Sequence, residues 1–245
     1  MLEEWRARIG WINPRVNSDI EVYDFYQAAP KDVVLVVNSL TVIDSDRTEE
    51  LEASLALVEQ AVTHLNFSKV DLVMMNGAPV HLHFGNEGHI DILRRMRNAS
   101  KVPVTTSSRA LAESIHSLGA KKLLVVSSWR RESSHLSTNL RNFLLSEGVE
   151  ISGVEGIGRQ LQSYEKLQMT PAAIYANVAS VAKNHPNVDA VYIQSGTMAA
   201  LPIIEELEQE IAKPVISTNS ASIFSSFKAL GVKANKGYGK LLSSL

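Results

Sequence analysis

The chain has 245 residues, 45% of them hydrophobic, with a formal charge of −2 and no cysteine. That length suits one large or two small domains with a substantial core. The near-neutral balance argues against nucleic acid or a charged membrane surface as partner, and the missing thiol excludes disulfides, zinc-thiolate sites and thiol catalysis. No apolar run approaches the roughly 20 residues of a membrane span. The start, Met1-Leu-Glu-Glu-Trp-Arg-Ala-Arg8, is charged and lacks an apolar signal region, so a cytoplasmic location is expected.

In chain order, Arg8–Ile12 reads as a short strand that ends in the turn chemistry of Asn13 to Asp19, where Asn17 or Ser18 is placed to cap the segment Ile20–Tyr26. Val33–Val37 is a continuous β-branched run, the mark of a strand covered on both faces. Leu51, Leu55, Val58, Val62 and Leu65 recur at helical spacing. The strand Leu72–Met75 stops at Asn76-Gly77-Ala78-Pro79, and an extended loop then holds His81 and His83. Ile90–Met96 reads as a helix and Val102–Thr105 as a strand. Ser107 and Ser108 open a helix that ends at Leu118-Gly119.

The pattern then restarts. Lys121–Val126 is a strand ending at Ser127-Ser128-Trp129, Leu136–Leu145 a helix, and Val149–Val154 a strand. Thr170-Pro171 starts a helix running to about Lys183. Ala190–Ile193 is a buried strand broken by Ser195-Gly196-Thr197, followed by a helix over Leu201–Ile211. The strand Pro214–Ser217 feeds a helix from Asn219 and Ser220 to Leu230-Gly231, and Asn235–Lys240 reads as a loop.

Alternating strands and helices define the α/β class with parallel sheets. Val70-Asp71 plus strand, turn and helix recurs as Val188-Asp189 plus strand, turn and helix, and Lys101-Val-Pro-Val-Thr-Thr-Ser-Ser108 recurs as Lys213-Pro-Val-Ile-Ser-Thr-Asn-Ser220. The repeat predicts two pseudo-symmetric lobes, 1–119 and 120–220, each a parallel sheet flanked by helices. Residues 221–245 would cross back to the first lobe. Ligands of open α/β sheets sit at the carboxyl ends of the strands, so an active-site cleft is expected between the lobes.

The strand-end turns are rich in small hydroxyl and amide residues and poor in charge. Asn13, Asn17, Gly77, Ala78, Thr105, Thr106, Ser127, Trp129, Gly196, Thr197 and Asn219 form the expected binding set for a small carboxylate. Any one of these residues serves equally well as a helix cap. Ser195 is a candidate catalytic hydroxyl that lacks a nearby base in sequence and the Gly-x-Ser-x-Gly elbow. His81 and His83 are candidate acid/base groups, half a metal site needing Glu87 or His89 as a third ligand, or part of a solvated or structural loop; no metal is assigned. Arg130, Arg131 and His135 form a candidate carboxylate-clamping loop or a solvated surface. Gly156-Ile-Gly158 lacks the setting of a dinucleotide fingerprint and no P-loop is present, so no cofactor is expected. Apolar helix faces make a homo-oligomer the expected assembly.

Arg8–Pro14 with Asn17, Asp71–Gly85, Pro103–Ser108, Leu123–Trp129, Asp189–Glu208, Pro214–Ser220 and Gly237–Leu241 together resemble the aspartate/glutamate racemase superfamily, in particular its branch of maleate cis-trans isomerases and arylmalonate decarboxylases. The resemblance implies two pseudo-symmetric lobes with a site between them and a small carboxylic acid as substrate. Racemases and isomerases of that kind carry a cysteine at each of two turns, matching Gly77 and Ser195 here; decarboxylases resemble Gly at the first and Cys at the second. This chain departs at position 195. It also departs at Ala78 and Pro79, where the decarboxylase pattern has Thr and Ser, and at Trp129, where Tyr is usual. A serine hydroxyl is a far weaker acid than a thiol near pKa 8.5. The reaction expected is a cofactor-independent lyase or isomerase step through an enolate-like intermediate. The alternatives are hydrolysis or hydration using Ser195, His81 and His83, or carboxylate binding without turnover.

Overall fold

Two four-stranded parallel sheets carry the same strand order. In the computed structural model, which describes residues 5–44, 47–127, 135–157 and 168–245, the first half runs β1 (Ala7–Arg15), α1 (Asp19–Ala28), β2 (Val33–Val42), α2 (Thr48–Ala56), α3 (Val58–Phe67), β3 (Leu72–Met75), α4 (Ala78–His81), α5 (Gly85–Ala99), β4 (Val104–Thr106) and α6 (Ser107–Ser117). The second half runs β5 (Lys122–Ser127), α7 (His135–Ser146), β6 (Glu150–Gly156), α8 (Pro171–Ala182), β7 (Ala190–Gln194), a 3-10 turn (Leu201–Ile203), α9 (Ile204–Ile211), β8 (Val215–Ser217), α10 (Thr218–Leu230) and α11 (Gly239–Ser243). The orders are β2-β1-β3-β4 and β6-β5-β7-β8. The two-lobed parallel α/β architecture is therefore as the repeat requires.

The repeated aspartates explain part of this symmetry. Asp71 precedes β3; its Oδ2 accepts from the Arg8 amide at 2.7 Å, and its own amide donates to the Arg8 carbonyl at 2.7 Å. Asp189 precedes β7; its Oδ2 accepts from the Lys121 and Lys122 amides, both at 2.8 Å, and its amide donates to the Lys122 carbonyl at 2.8 Å. Each side chain fixes where the third strand of its lobe begins against the first.

Strand alternation divides the core of the first lobe. Leu72 and Met74 face the core that continues into the second lobe, whereas Val73 and Met75 face a separate cluster with Leu51, Leu55, Val62, Ile92 and Met96. All four residues of β3 and all five of β7 are buried, as expected of strands covered on both faces.

Some elements differ from the sequence reading. β1 continues through Pro14, which lies beyond the last pairing with β3 at Ile12 and beside a register shift against β2, so its missing N–H breaks no regular ladder. The segment read as extended around His81 is instead the short helix α4, entered through Gly77 at φ +83°. The loop read over Asn235–Lys240 ends two residues sooner, where α11 begins at Gly239.

α10 runs between the lobes, packed on α6 and α1. Ser222, Ser225 and Ser226 keep its surface small enough for close approach, and each hydroxyl is bonded: Ser222 to Asn76 Oδ1 at 2.8 Å, Ser225 to Glu113 at 2.7 Å and Ser226 to the Ser222 carbonyl. Phe227 meets Phe25 of α1 edge to face at 5.7 Å. Beyond it, Asn235 bonds the carbonyls of Gln27 and Ala29, and α11 packs on α9 and β8. Among the described residues no helix is long and apolar enough to cross a membrane.

Candidate active site

The carboxyl ends of β1, β3, β7 and β8 converge on one cavity between the lobes. Its volume is about 70 Å³, several times the roughly 10–15 Å³ that one water needs on that measure. Such a space suits a small molecule and is too small for a dinucleotide. The first lobe contributes Asn13, Pro14 and Arg15 from the end of β1, Glu21 from α1, and the turn Asn76-Gly77-Ala78-Pro79. The second lobe contributes Tyr192 and Gln194 from β7, the turn Ser195-Gly196-Thr197, and Thr218 at the start of α10.

The two repeated turns thus meet across the cavity, and both depend on glycine. At Gly77 an added Cβ would lie 2.2 Å from Pro14 Cγ, in a left-handed backbone conformation that other residues rarely adopt. No side chain fits at position 77 without moving Pro14. At Gly196 an added Cβ would lie 3.0 Å from Glu21 Oε1 and 3.4 Å from Asn219 Oδ1, so close approach between lobes explains that glycine.

Ser195 Oγ bonds Thr197 Oγ1 at 3.1 Å and accepts from the Thr197 amide at 3.3 Å. Tyr192 Oη meets Thr218 Oγ1 at 2.9 Å, and burial pushes its phenol up to about 12. Two buried amide nitrogens among the lining residues, Asn76 Nδ2 and Gln194 Nε2, have no hydrogen-bond partner. Buried donors are normally paired, and these belong to the walls of the cavity. Burial lowers the Arg15 guanidinium from its ordinary value, against the raising influence of Glu21, Asp44 and Asp19.

α1 supplies what the sequence reading missed. Glu21, Asp24, Phe25 and Ala28 are its buried face, the i, i+3, i+4, i+7 set of one helical stripe. Two carboxyl groups on that stripe were the available signal. Burial raises Glu21 to about 8, opposed by its own backbone amide and by Arg15. Burial likewise raises Asp24 to about 7, opposed by the Asn219 side chain and the Leu201 amide. Glu21 Oε2 and Asp24 Oδ1 have no hydrogen-bond partner.

Of the residues expected at the site, Ser195, Asn13, Gly77, Ala78, Gly196 and Thr197 line this cavity. Asn219 stands behind the second turn, donating to the Gly196 carbonyl at 3.0 Å and to Asp24 Oδ2 at 2.9 Å. Asn17 stands just past the end of β1, with its carbonyl accepting from Asn13 and its side chain bonded to Arg15 and Asp19. The remaining residues lie elsewhere. Thr106 caps α6 and bonds His89 Nε2 at 2.8 Å; Thr105 faces a surface groove with Arg109 and Glu113. Ser127 is buried at the end of β5, its carbonyl accepting from the Ile157 amide. His81 is fully buried with Nε2 on Ser107 Oγ at 3.0 Å, and desolvation, then His89, lowers it well below its ordinary value. His83 is buried with its ring against Phe84. Neither histidine lines the cavity. Trp129, Arg130 and Arg131 lie outside the described residues, as does the His135 side chain. Among the described residues no group of three or more His, Asp or Glu is arranged to hold a metal ion.

Two lobes of like topology, joined over a small cavity at their strand ends, define a two-lobed α/β protein with an interlobe site. The chain belongs to the arylmalonate decarboxylase family, whose model matches residues 35–242. Among curated proteins it is 23% identical to an arylmalonate decarboxylase of Bordetella bronchiseptica over 192 residues, covering 76% of this chain and 78% of that one. It is 26% identical to a maleate isomerase of Pseudomonas putida over 251 residues, covering 96% and 97%. Among solved structures, a liganded arylmalonate decarboxylase variant, with one glycine changed to cysteine and one cysteine to serine, aligns at a TM-score of 0.87 and 20% identity, covering 98% of this chain and all of that one. A maleate isomerase from Pseudomonas putida bound to maleate aligns at 0.81 and 23% identity, covering 97% of each. These structures are alike in fold.

Proposed function

We propose that the protein is a cofactor-independent lyase or isomerase that acts on a small carboxylic acid through an enolate-like intermediate in the interlobe cavity. The observation that carries this reading is the pair of unpartnered buried donors, Asn76 Nδ2 and Gln194 Nε2, one from each lobe, in a cavity that also holds Arg15. Two N–H donors and a guanidinium suit a carboxylate and the charge that develops on it as an enolate forms. Family membership and relatives named for decarboxylation of arylmalonate and isomerisation of maleate support the same substrate class. Ser195 then serves as a hydroxyl relay or contact at the second turn. Serine-nucleophile hydrolysis has less support, because Ser195 Oγ bonds Thr197, no described histidine lines the cavity, and the Glu21 carboxyl that does line it is raised by burial to about 8.

Incubation with arylmalonates, alkylmalonates and maleate, read by mass spectrometry for products, tests the reading directly. The expected outcome is a decarboxylated or isomerised acid from one of these classes, with Ser195→Ala slower than wild type. Ser195→Ala with unchanged turnover removes the serine role. A second reading, carboxylate binding without turnover, is favoured by the glycine and serine at the two turn positions where the resemblance places thiols. Thermal stabilisation by one of these acids with no product formed would establish it.

A further inference from the structure

We propose that the Glu21 carboxyl group is the acid that protonates the substrate carbon in this cavity, taking the part that the resemblance gives to a thiol at position 195. The inference rests on the reading of the protein as an enzyme acting on small carboxylic acids. Glu21 lies on the inward face of α1, lines the cavity and is buried, and its Oε2 has no hydrogen-bond partner. Its Oε1 stands 3.0 Å from the point a Cβ on Gly196 would occupy, so the glycine beside Ser195 is what lets this carboxyl reach the second turn.

The other described lining residues leave the proton to Glu21. Ser195 is a weakly acidic hydroxyl bonded to Thr197. Tyr192 is bonded to Thr218 and held neutral by burial. Arg15 is a cation. The charged and titratable groups facing Glu21 are Arg15 from the end of β1 and Asp19 and Asp24 on its own helix; on the side of the second lobe, its Oε1 and the neutral Asn219 amide both stand beside Gly196. Burial raises the carboxyl to about 8, so it enters the reaction protonated at neutral pH. An acid near the working pH transfers a proton far more readily than an alcohol does.

For a substituted malonate the step balances as follows. The bond from the α-carbon to one carboxylate carbon breaks and carbon dioxide leaves. The electron pair stays on the α-carbon, spread over the retained carboxylate as an enediolate facing Arg15, Asn76 and Gln194. The Glu21 O–H bond breaks as the new C–H bond forms, leaving a Glu21 carboxylate that takes its next proton from water.

The test is turnover of a phenylmalonate and alkylmalonate panel by the wild type, Glu21→Gln and Glu21→Asp, each with a melting curve and a pH profile. The expected result is a kcat lower by about 100-fold or more in Glu21→Gln with KM changed by less than about threefold. Wild-type kcat should fall above about pH 8, a limb that Glu21→Gln lacks. If Glu21→Gln turns over within about threefold of wild type, the role of Glu21 is overturned and the enzyme reading stands. If the wild type converts no malonate, the enzyme reading fails first and this inference falls with it. Should Glu21→Gln not fold, the wild type decides alone: a kcat level from about pH 6 to about pH 10 overturns the inference.

Discussion

The Asn219 side-chain amide donates to Asp24 Oδ2 at 2.9 Å and to the Gly196 carbonyl at 3.0 Å. One amide group thereby ties the helix after the last strand to the first helix and to the turn that bears Ser195. Replacing it removes a donor from both acceptors and leaves the Asp24 carboxyl with the Leu201 amide. Asn219→Ala should cost about 2 kcal/mol of unfolding free energy, read by urea titration. The bond also restrains the rise in the Asp24 pKa, so the loss should be larger at pH 8 than at pH 5.5. A variant as stable as wild type at both values would show that Asn219 does not join the lobes energetically.

Gly77 is held by sterics and by conformation together. Gly77→Ala places a methyl 2.2 Å from Pro14 Cγ at φ +83° and should cost about 2–4 kcal/mol. Pro14→Ala in the same chain should return part of that loss, because it relieves the clash but not the backbone strain. A thermal melt of the two variants measures both contributions, and no recovery in the double variant would put the whole penalty in the backbone.

Glu21 and Asp24 make stability depend on pH with a definite sign. Folding raises Glu21 from 4.5 to about 8 and Asp24 from 3.8 to about 7. The folded state holds more protons than the unfolded state between those values, so stability is greatest below them and is lost as pH rises through the folded values. Unfolding free energy should fall from pH 5 to pH 8 by on the order of a few kcal/mol. Glu21→Gln, which carries no titrating group, should flatten the slope. A wild-type slope of opposite sign over that range would mean that neither carboxyl is buried protonated.

Asp189 behaves in the opposite sense. The Lys121 and Lys122 amides hold its carboxyl below the ordinary value of 3.8, so its contribution is present above pH 3.8 and lost as pH falls through the folded value. Asp189→Ala should cost about 1 kcal/mol at pH 7, a modest figure because the group is largely solvated. The gap between variant and wild type should shrink as pH falls below 3.8. A gap of constant size would assign the effect to the strand start rather than to the charge.

Much of this molecule was legible in the order of its residues. The twin segments opening at Asp71 and Asp189, the β-branched runs and the Leu-Gly helix ends are local signals, and each specifies an element without reference to the rest of the chain. Two lobes with matching sheets follow from such signals, as does the pairing of the Gly77 turn with the Ser195 turn. Glu21 was not legible in that way. In sequence it is one acid in a helix with Asp19 and Asp24. Only the packing of α1 against the Gly196 turn and α10 removes it from water, and desolvation, a property of all surrounding atoms together, turns an ordinary carboxylate into a buried acid. His81 shows the reverse: its spacing from His83 suggested a reactive pair, whereas the turn of α4 buries it on Ser107 away from the cavity. Local residue types determined the strands, turns and lobes; which polar groups face the cavity, and in which protonation state, was decided by the tertiary structure, because exposure and desolvation exist only once the two halves have closed on each other.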